Sequence, residues 1–327
     1  MGTPLVPPTL IDVYAAKHWL APYLPPTPLL PSPVLSRQLG CTIYLKCELL
    51  NPTGAFKVRG GVNLVSQLSP EERQRGLITA STGNHGQSIA YAARLFGVPA
   101  IVGAPVGSNP DKVEAMRALG AEVVLQGRDY DDARAWVERT AAAEGYRYVH
   151  SANEPLLIAG VGTISLEILD ALPSVDVIIV PIGGGSGASG QCIVAKTINP
   201  KIQVIGVQSA NAPAAYRSWH ARAMVEMPSA NTFADGLATR VPFELTQRIL
   251  WDLLDDFILV TEEDLRQAII LVLEAAHLVV EGAGAASTAA ALRLRERLVG
   301  KTVVLILSGG NITLARLRAA LTDPTPW

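Results

Sequence analysis

The sequence predicts an α/β fold with parallel sheets that are covered by helices on both faces. Two observations support this prediction: short β-branched runs alternate with longer runs rich in Ala and Leu, and the strand-like runs are almost wholly apolar. Continuous apolar runs are typical of strands that are buried on both faces of a sheet. The predicted strands are, in chain order, 43–48, 100–105, 121–126, 177–182, 202–208 and 302–310.

Polar capping residues mark where several helices between these strands begin. Ser69 has Glu72 three positions later, which predicts a capping box. Asn109 before a proline and Thr261 before three acidic residues give the same signal for two further helices. The first 35 residues are rich in proline, and we expect them to wrap over the surface.

The composition excludes several classes of protein. The 327 residues carry a formal net charge of −2 with no block of five like charges, so nucleic acid and anionic membranes are not expected partners. The three cysteines form no C-x-x-C motif and no Cys/His cluster, and their odd number fits a reducing compartment. Neither a signal-peptide pattern nor an apolar run long enough to span a membrane occurs. We therefore expect a cytoplasmic protein whose partner is a small molecule.

A glycine-rich turn follows the predicted strand 177–182. Residues 183–190 read GGGSGASG, and a helix-compatible run comes next. Such a turn presents backbone amides and the positive end of a helix to an anion, most often a phosphate. Gly185, Gly187 and Gly190 also match the dinucleotide fingerprint, but the next strand ends without the acidic residue that would hold a ribose. We predict a phosphate site; the alternatives are a dinucleotide site and a tight turn that needs glycine only for its positive φ.

A lysine stands among small and aromatic residues in the stretch 54–61, GAFKVRGG. Burial would favour the neutral form of Lys57, which condenses with an aldehyde to give a Schiff base. The alternative is an ordinary surface lysine in a loop. Two other stretches favour the chemical role. Residues 81–87, STGNHGQ, form a helix start suited to a carboxylate, and residues 308–311, SGGN, follow the last apolar strand at the sheet edge where ligands bind.

The motifs NPTGAFKVRG, STGNHGQ, GGGSG and SGGN occur in this order and extend over nearly the whole chain. Together they resemble the fold-type II pyridoxal phosphate enzymes, specifically the group of serine/threonine dehydratases (ammonia-lyases) and serine racemases. The resemblance implies a tryptophan-synthase-beta-like architecture with two open, twisted α/β domains. A large cofactor-binding domain is expected at 1–75 and 151–327, and a small substrate-binding domain at 76–150.

The resemblance also implies a role for each motif residue. Lys57 would form the Schiff base with pyridoxal 5'-phosphate and later act as general base, and Phe56 would pack against the cofactor. Asn84 would bind the ring hydroxyl, and Ser308 the pyridine nitrogen. The cofactor phosphate would be bound by Gly183, Gly184, Gly185, Ser186 and Gly187, and the substrate carboxylate by Ser81, Thr82, Gly83, Asn84 and His85.

The activity implied is elimination of water from L-threonine, L-serine or a related β-hydroxy amino acid, which yields a 2-oxo acid and ammonia. A hydroxyl at the ring nitrogen makes the ring a weaker electron sink than a carboxylate would, which favours loss of a β-group. The alternatives are a serine/threonine racemase and a non-catalytic ligand-binding protein on the same scaffold. The resemblance further implies a homo-oligomer, most simply a dimer.

Three stretches depart from the family's pattern. Residues 206–214 contain no carboxylate where many relatives bind a divalent metal, so we predict no metal there. Thr82 stands where racemases carry a catalytic serine and many dehydratases an alanine, which makes it a second catalytic candidate and leaves racemase activity open. Glu281 precedes Gly-Ala-Gly-Ala instead of the family's proline, so it is either a residue near the cofactor or a helix-capping acid. Gly236 is a further candidate near the cofactor.

Overall fold

The computed structural model describes residues 5–322, which form two compact units. One unit comprises the residues up to Pro25 together with Lys57–Val161. The other comprises Pro26–Phe56 together with the described residues from Gly162 onward. Each unit has its own sheet and its own hydrophobic core.

Ten strands and fifteen α-helices alternate along the described residues. The strands are β1 (Leu29–Pro31), β2 (Thr42–Lys46), β3 (Leu77–Ala80), β4 (Ala100–Ala104), β5 (Glu122–Leu125), β6 (Arg147–Tyr148), β7 (Val177–Pro181), β8 (Gln203–Ser209), β9 (Asp256–Val260) and β10 (Thr302–Ile306). The helices are α1 (Leu10–Leu20), α2 (Pro33–Leu39), α3 (Lys57–Ser66), α4 (Pro70–Arg75), α5 (Asn84–Phe96), α6 (Pro110–Ala118), α7 (Tyr130–Glu144), α8 (Pro155–Ala171), α9 (Ser186–Ile198), α10 (Ala214–Ala221), α11 (Glu244–Leu253), α12 (Glu262–Ala276), α13 (Gly282–Arg293), α14 (Arg295–Leu298) and α15 (Leu314–Thr322).

The unit that contains Lys57 is built on a four-stranded parallel sheet with the order β5-β4-β3-β6. Helix α3 packs against α5, and their apolar side chains share one core with the sheet. Val58, Val62 and Val65 of α3 are fully buried in this core with Ile89 of α5. Because of this shared core, α3 belongs to the same unit as the four-stranded sheet. The sequence analysis placed the start of the small domain later, at residue 76. The division into a cofactor-binding and a substrate-binding domain stays a prediction.

The other unit is built on a six-stranded sheet with the order β1-β2-β10-β7-β8-β9. Every neighbouring pair is parallel except β1 and β2, which are antiparallel. Val177 and Ile179 of β7 belong to the main core. Ile178 and Val180, which alternate with them and face the opposite side of the sheet, are buried as well. Both faces of β7 are therefore covered, as its continuous apolar sequence predicts.

All six strands predicted from the sequence are present, with ends shifted by a few residues. The largest shift is in β10, which ends at Ile306 because Ser308 and Gly309 leave the sheet. The six predicted strands leave out β1, β3, β6 and β9, and helix α1, within the proline-rich first 35 residues, was not predicted either. None of the helices in the described part of the chain combines the length and apolarity that a membrane crossing requires.

Candidate active site

Lys57 is the first residue of α3, and its ammonium group is held by backbone atoms of the same unit. Its Nζ donates a hydrogen bond to the carbonyl oxygen of Ser151 at 3.0 Å. The Oγ of Ser88 on α5 donates to the carbonyl oxygen of Lys57 at 2.7 Å, which fixes the first turn of α3. Desolvation lowers the pKa of Lys57 from 10.5 to about 8. A lysine with this pKa has an appreciable neutral, nucleophilic fraction near neutral pH.

His85 is buried, and its hydrogen bonds define which nitrogen carries the proton. The Oγ1 of Thr79 donates its single proton to the carbonyl oxygen of Val149 at 2.7 Å. The 2.8 Å contact between Thr79 Oγ1 and His85 Nε2 is therefore donated by Nε2–H. Burial, and after it the charge of Lys57, lowers the pKa of His85 to about 3. The ring is neutral, and its Nδ1 is a buried acceptor without a hydrogen-bond partner among the described residues.

The 81–85 loop is shaped by the hydroxyl group of Ser81. Its Oγ accepts hydrogen bonds from the backbone amides of Gly83 and Gly86 at 3.1 and 2.8 Å. Gly83 is the N-cap of α5 and has no side chain, so Ser81 takes over the capping function from two residues upstream. Ser81 is buried, whereas Thr82 is exposed and Asn84, the first residue of α5, is half-buried. The start of a helix is a place where backbone amides can bind an anion.

The glycine-rich turn 183–187 is a loop that side chains would not fit. Gly185 has φ +90° and is the N-cap of α9. A Cβ on Gly183 would lie 2.1 Å from the carbonyl oxygen of Gly236, and a Cβ on Gly187 would lie 3.0 Å from the Phe56 ring. The N-cap is a glycine and contributes no side-chain hydrogen bond to α9, whose first residue is Ser186. The shape and the amides fit a phosphate group.

The backbone carbonyl groups of Ser308 and Gly309 accept hydrogen bonds from Phe56 and Glu281. The amide of Phe56 donates to the carbonyl oxygen of Ser308 at 3.0 Å, and the amide of Glu281 donates to the carbonyl oxygen of Gly309 at 3.1 Å. The Oε1 of Glu281 lies 2.6 Å from the position that a Cβ on Gly309 would take. Glu281 is the N-cap residue of α13, but its side chain makes no capping hydrogen bond. The structure therefore places Glu281 next to the Ser308–Gly309 backbone, and its role stays a prediction.

The carboxylate-free stretch 206–214 has polar side chains that are engaged with the protein itself. The Oε1 of Gln208 accepts a hydrogen bond from the amide of Tyr216 at 3.1 Å. The Oγ of Ser209 donates to Glu262 Oε1 at 2.7 Å. Across residues 5–322, no group of three or more His, Cys, Asp and Glu side chains is arranged to hold a metal ion.

The structure adds a turn that the sequence analysis did not single out, residues 150–153. Ser151 supplies the carbonyl oxygen that binds Lys57. The Nδ1 of His150 accepts hydrogen bonds from the amides of Ala152 and Asn153, both at 3.0 Å, so its proton is on Nε2. Burial, then the charges of Arg134 and Lys57, lowers the pKa of His150 to about 4. The polar run before the proline that begins α8 was the available signal.

Lys112 is a second residue that sequence reasoning missed. It lies in the first turn of α6 and is 8% exposed. Its Nζ is 3.7 Å from the position that a Cβ on Gly83 would take, so a buried ammonium group lies against the 81–85 loop. Its position in the first turn of an ordinary helix gave no signal, because nothing in the local sequence relates α6 to that loop.

Comparison with known proteins establishes the family. The pyridoxal-phosphate dependent enzyme family matches residues 20–309. The chain belongs to this family. The proposed resemblance to fold-type II enzymes is therefore confirmed, as is the two-sheet α/β fold, and pyridoxal phosphate is the cofactor.

Relatives of this pyridoxal-phosphate dependent enzyme match most of its length. The L-threonine ammonia-lyase of Thermotoga maritima is 42% identical over 304 residues, which are 93% of this chain and 76% of the relative. The L-threonine ammonia-lyase of Geobacter sulfurreducens is 45% identical over 287 residues, 88% of this chain and 71% of the relative. The structure of maize serine racemase superposes with a TM-score of 0.91 at 32% identity and covers 97% of each chain.

Proposed function

We propose that this enzyme is a threonine/serine ammonia-lyase, which eliminates water from a β-hydroxy amino acid and produces a 2-oxo acid and ammonia. The observation that carries the proposal is Lys57, a lysine with a pKa of about 8 that lies within the NPTGAFKVRG motif and begins helix α3. The names of the two bacterial relatives support this activity over the other chemistries of the family.

The residues of this chain fit the cofactor. Pyridoxal phosphate supplies an electron sink for the carbon atom that loses its proton. The 183–187 turn, where side chains are excluded at three positions and φ is positive at Gly185, would hold the phosphate. Lys57 would bind the aldehyde carbon, and Phe56, Asn84 and Ser308 would contact the ring.

The reaction assigns a task to the chain's own groups. Amides of the 81–85 loop orient the substrate carboxylate, with the loop geometry set by Ser81. Neutral Lys57 removes the α-proton as general base, and the β-hydroxyl leaves as water after it takes up a proton. The enamine that is released tautomerises to an imine, which water hydrolyses to the 2-oxo acid and ammonia. The lost water and the consumed water balance.

Racemisation of serine or threonine is the second candidate. Thr82 is exposed on the 81–85 loop, so its hydroxyl group is available to a substrate. Maize serine racemase is a structural neighbour over nearly the whole chain. A threonine is less suited to proton transfer than a serine because its branched side chain has a stiff χ1 angle. Formation of the D-amino acid from the L-amino acid would measure this activity beside 2-oxo acid release.

We also propose that the enzyme works in the cytoplasm as a homodimer. All three cysteines, Cys41, Cys47 and Cys192, are free and buried, which suits a reducing compartment. The dimer is inferred from the resemblance alone, and sedimentation velocity at working concentrations measures it.

Replacement of Lys57 tests the proposal. Wild type should release 2-oxo acid from at least one of L-threonine, L-serine, 3-hydroxyaspartate and phenylserine, and borohydride should fix the cofactor's mass to the peptide that contains Lys57. Lys57→Ala should lose the visible absorbance of bound cofactor and about 10³-fold or more of the turnover. Lys201→Ala, at an exposed lysine of the other unit, is the matched control and should behave as wild type. A Lys57→Ala protein that keeps both colour and turnover would refute the proposal.

A further inference from the structure

Two threonine side chains hold carbonyl groups of the 183–187 turn. Thr246 Oγ1 donates to the carbonyl oxygen of Gly184 at 2.7 Å, and Thr239 Oγ1 donates to that of Gly183 at 3.3 Å. Thr246 is 2% exposed and lies in the first turn of α11. Its hydroxyl group is also 3.2 Å from the carbonyl oxygen of Phe243, and the shorter contact to Gly184 takes the single proton.

These hydrogen bonds determine where two amides of the turn point. A peptide group is planar, and in the trans form its C=O and N–H point in opposite directions. All described peptide bonds are trans. With the Gly183 carbonyl directed at Thr239, the amide of Gly184 points away from that threonine. With the Gly184 carbonyl directed at Thr246, the amide of Gly185 points away in the same manner.

The longer hydrogen bond, from Thr239 to Gly183, is supported by a further hydrogen bond from Gln208 to Thr239. Gln208 Nε2 donates to Thr239 Oγ1 at 3.3 Å, which leaves the hydroxyl proton of Thr239 for Gly183. The orientation of the Gln208 amide group is fixed because its Oε1 accepts from the amide of Tyr216. Gln208 is fully buried, so this connection is shielded from water. A neutral amide in the carboxylate-free stretch 206–214 thus supports the glycine-rich turn.

Thr246 also packs closely against the backbone of Gly185. A Cβ on Gly185 would lie 2.9 Å from both Cβ and Oγ1 of Thr246. The backbone of the turn therefore rests directly on the threonine. Glycine peptides are free to rotate in an unsupported loop, and each rotation would turn an amide away from a bound anion.

We propose that Thr246 and Thr239 are positioning residues for the cofactor phosphate: they hold the Gly184 and Gly185 amides in the orientation that binds the anion. The inference rests on the proposed binding of phosphate by the 183–187 turn. It goes beyond that role because neither threonine belongs to the glycine-rich motif, and both act through the backbone of the turn.

Binding of two probes to the apoprotein tests the inference. Pyridoxal phosphate and pyridoxal share the aldehyde ring, and only the first carries the phosphate group. Thr246→Val keeps the shape of the side chain and removes the hydroxyl, and it should weaken pyridoxal phosphate binding about 10-fold. Thr239→Val should weaken it about 3-fold, because its hydrogen bond is longer. Pyridoxal binding should stay within about twofold of wild type in both variants, since no phosphate is involved.

Further variants separate the proposed role from a general effect of the substitution. Thr246→Ser keeps the hydroxyl and should retain wild-type affinity for pyridoxal phosphate. Thr197→Val removes a hydrogen bond from Oγ1 to the Ile193 carbonyl near the far end of α9, and should change neither affinity. Thr288→Val removes a buried hydroxyl that has no hydrogen-bond partner among the described residues, and should likewise change neither. The ³¹P chemical shift of bound pyridoxal phosphate should move in Thr246→Val and not in these two controls.

The outcomes distinguish this inference from the proposal beneath it. If wild-type apoprotein binds pyridoxal as tightly as pyridoxal phosphate, the turn binds no phosphate and both ideas fail. If wild type prefers pyridoxal phosphate and Thr246→Val keeps that preference, only the positioning role is overturned. Should Thr246→Val fail to fold, the half-buried Thr239→Val carries the test, and an unchanged preference there overturns the inference.

Discussion

Lys57 has its Nζ 3.0 Å from the Ser151 carbonyl oxygen and a pKa lowered by desolvation to about 8. An exposed lysine, with a pKa near 10.4, is almost wholly protonated at neutral pH and cannot attack an aldehyde. With a pKa of about 8, roughly a tenth of the Lys57 side chains are neutral at pH 7. The local environment therefore makes this lysine reactive before any ligand binds.

The rate at which apoprotein combines with pyridoxal phosphate should follow this titration. The rate constant should rise about tenfold per pH unit below pH 8 and level off above it, because only the neutral amine reacts. Stopped-flow absorbance between pH 6 and 10 measures it, with Lys57→Arg as the control that forms no coloured product. A midpoint near pH 10.5 would show that the folded protein does not desolvate this amine.

Functional residues could be predicted from the sequence where a motif contains them. Their protonation and hydrogen bonds could not be predicted where these depend on segments outside the motif. The motifs singled out Lys57, His85 and Ser81. The tautomer of His85 depends on Thr79 and on the hydrogen bond from Thr79 to Val149, which is 70 residues away in the chain. The capping of α5 by Ser81 likewise became clear only from the hydrogen bonds, since the sequence equally allowed a contact to substrate. Tertiary contacts of this kind leave no periodic signal.

Helix α3 shows why the lysine motif continues with two glycines. A Cβ on Gly61 would lie 2.4 Å from Ser88 Oγ and 2.7 Å from the Ser88 carbonyl oxygen of α5. A Cβ on Gly60 would lie 3.0 Å from the Leu157 carbonyl oxygen of α8. The helix thus packs against neighbouring backbones at distances that only glycine allows. The same approach brings Ser88 Oγ within 2.7 Å of the Lys57 carbonyl oxygen.

Gly61→Ala should destabilise the protein by about 1–3 kcal/mol, because the methyl group overlaps backbone atoms that must then move. Helix propensity alone predicts the opposite sign, a gain of about 0.5–1 kcal/mol. Urea unfolding measures the difference. Gly145→Ala is the comparison: Gly145 has φ +76° and open space around it, so the variant should show only backbone strain of about 1–2 kcal/mol. A Gly61→Ala protein more stable than wild type would contradict the close packing of α3.

Most elements were predictable because their signals are local. The capping box at Ser69 forms as predicted, and the helix predicted after Thr261 is present and also begins with a capping box; each box needs only a partner three residues away. Helix α1 begins with the same device, in which Thr9 pairs with Asp12, but the surrounding prolines obscured it. Strand β9, which has five residues, pairs only with β8 at the sheet edge, and three of its residues are partly exposed.

The order of the strands in the six-stranded sheet could not be predicted from sequence patterns. Strand β10, the last in the chain, lies between β2 and β7, so its neighbours are more than a hundred residues away. This insertion brings the end of β10, with Ser308 two residues beyond it, beside the end of β7 and the 183–187 turn. Periodicity identifies strands one at a time and contains no pairing information. The resemblance to a known family implied two open, twisted α/β domains, and the order of the strands comes from the structure.

The free energy of unfolding should depend on pH through two buried histidines. Burial lowers the pKa of His85 to about 3 and that of His150 to about 4, from 6.5 for an exposed histidine. Between pH 6.5 and these values, the unfolded chain binds more protons than the folded protein. The contribution of these two histidines to stability is therefore complete above about pH 6.5 and is lost as the pH decreases from there toward 3.

His85→Gln isolates the contribution of one of these groups. Glutamine can still donate to Thr79 Oγ1 but cannot take up a proton, so the variant should lose less stability than wild type between pH 7.5 and pH 5. Urea unfolding at both pH values gives this difference, and it does not depend on the stability that the substitution costs at either pH. His18→Gln, at an exposed position on α1, is the matched comparison for this substitution. Identical slopes for wild type and His85→Gln would mean that the folded protein tolerates an imidazolium at position 85. That result would contradict a neutral His85 ring with an unprotonated Nδ1, because an imidazolium carries a proton on both ring nitrogens.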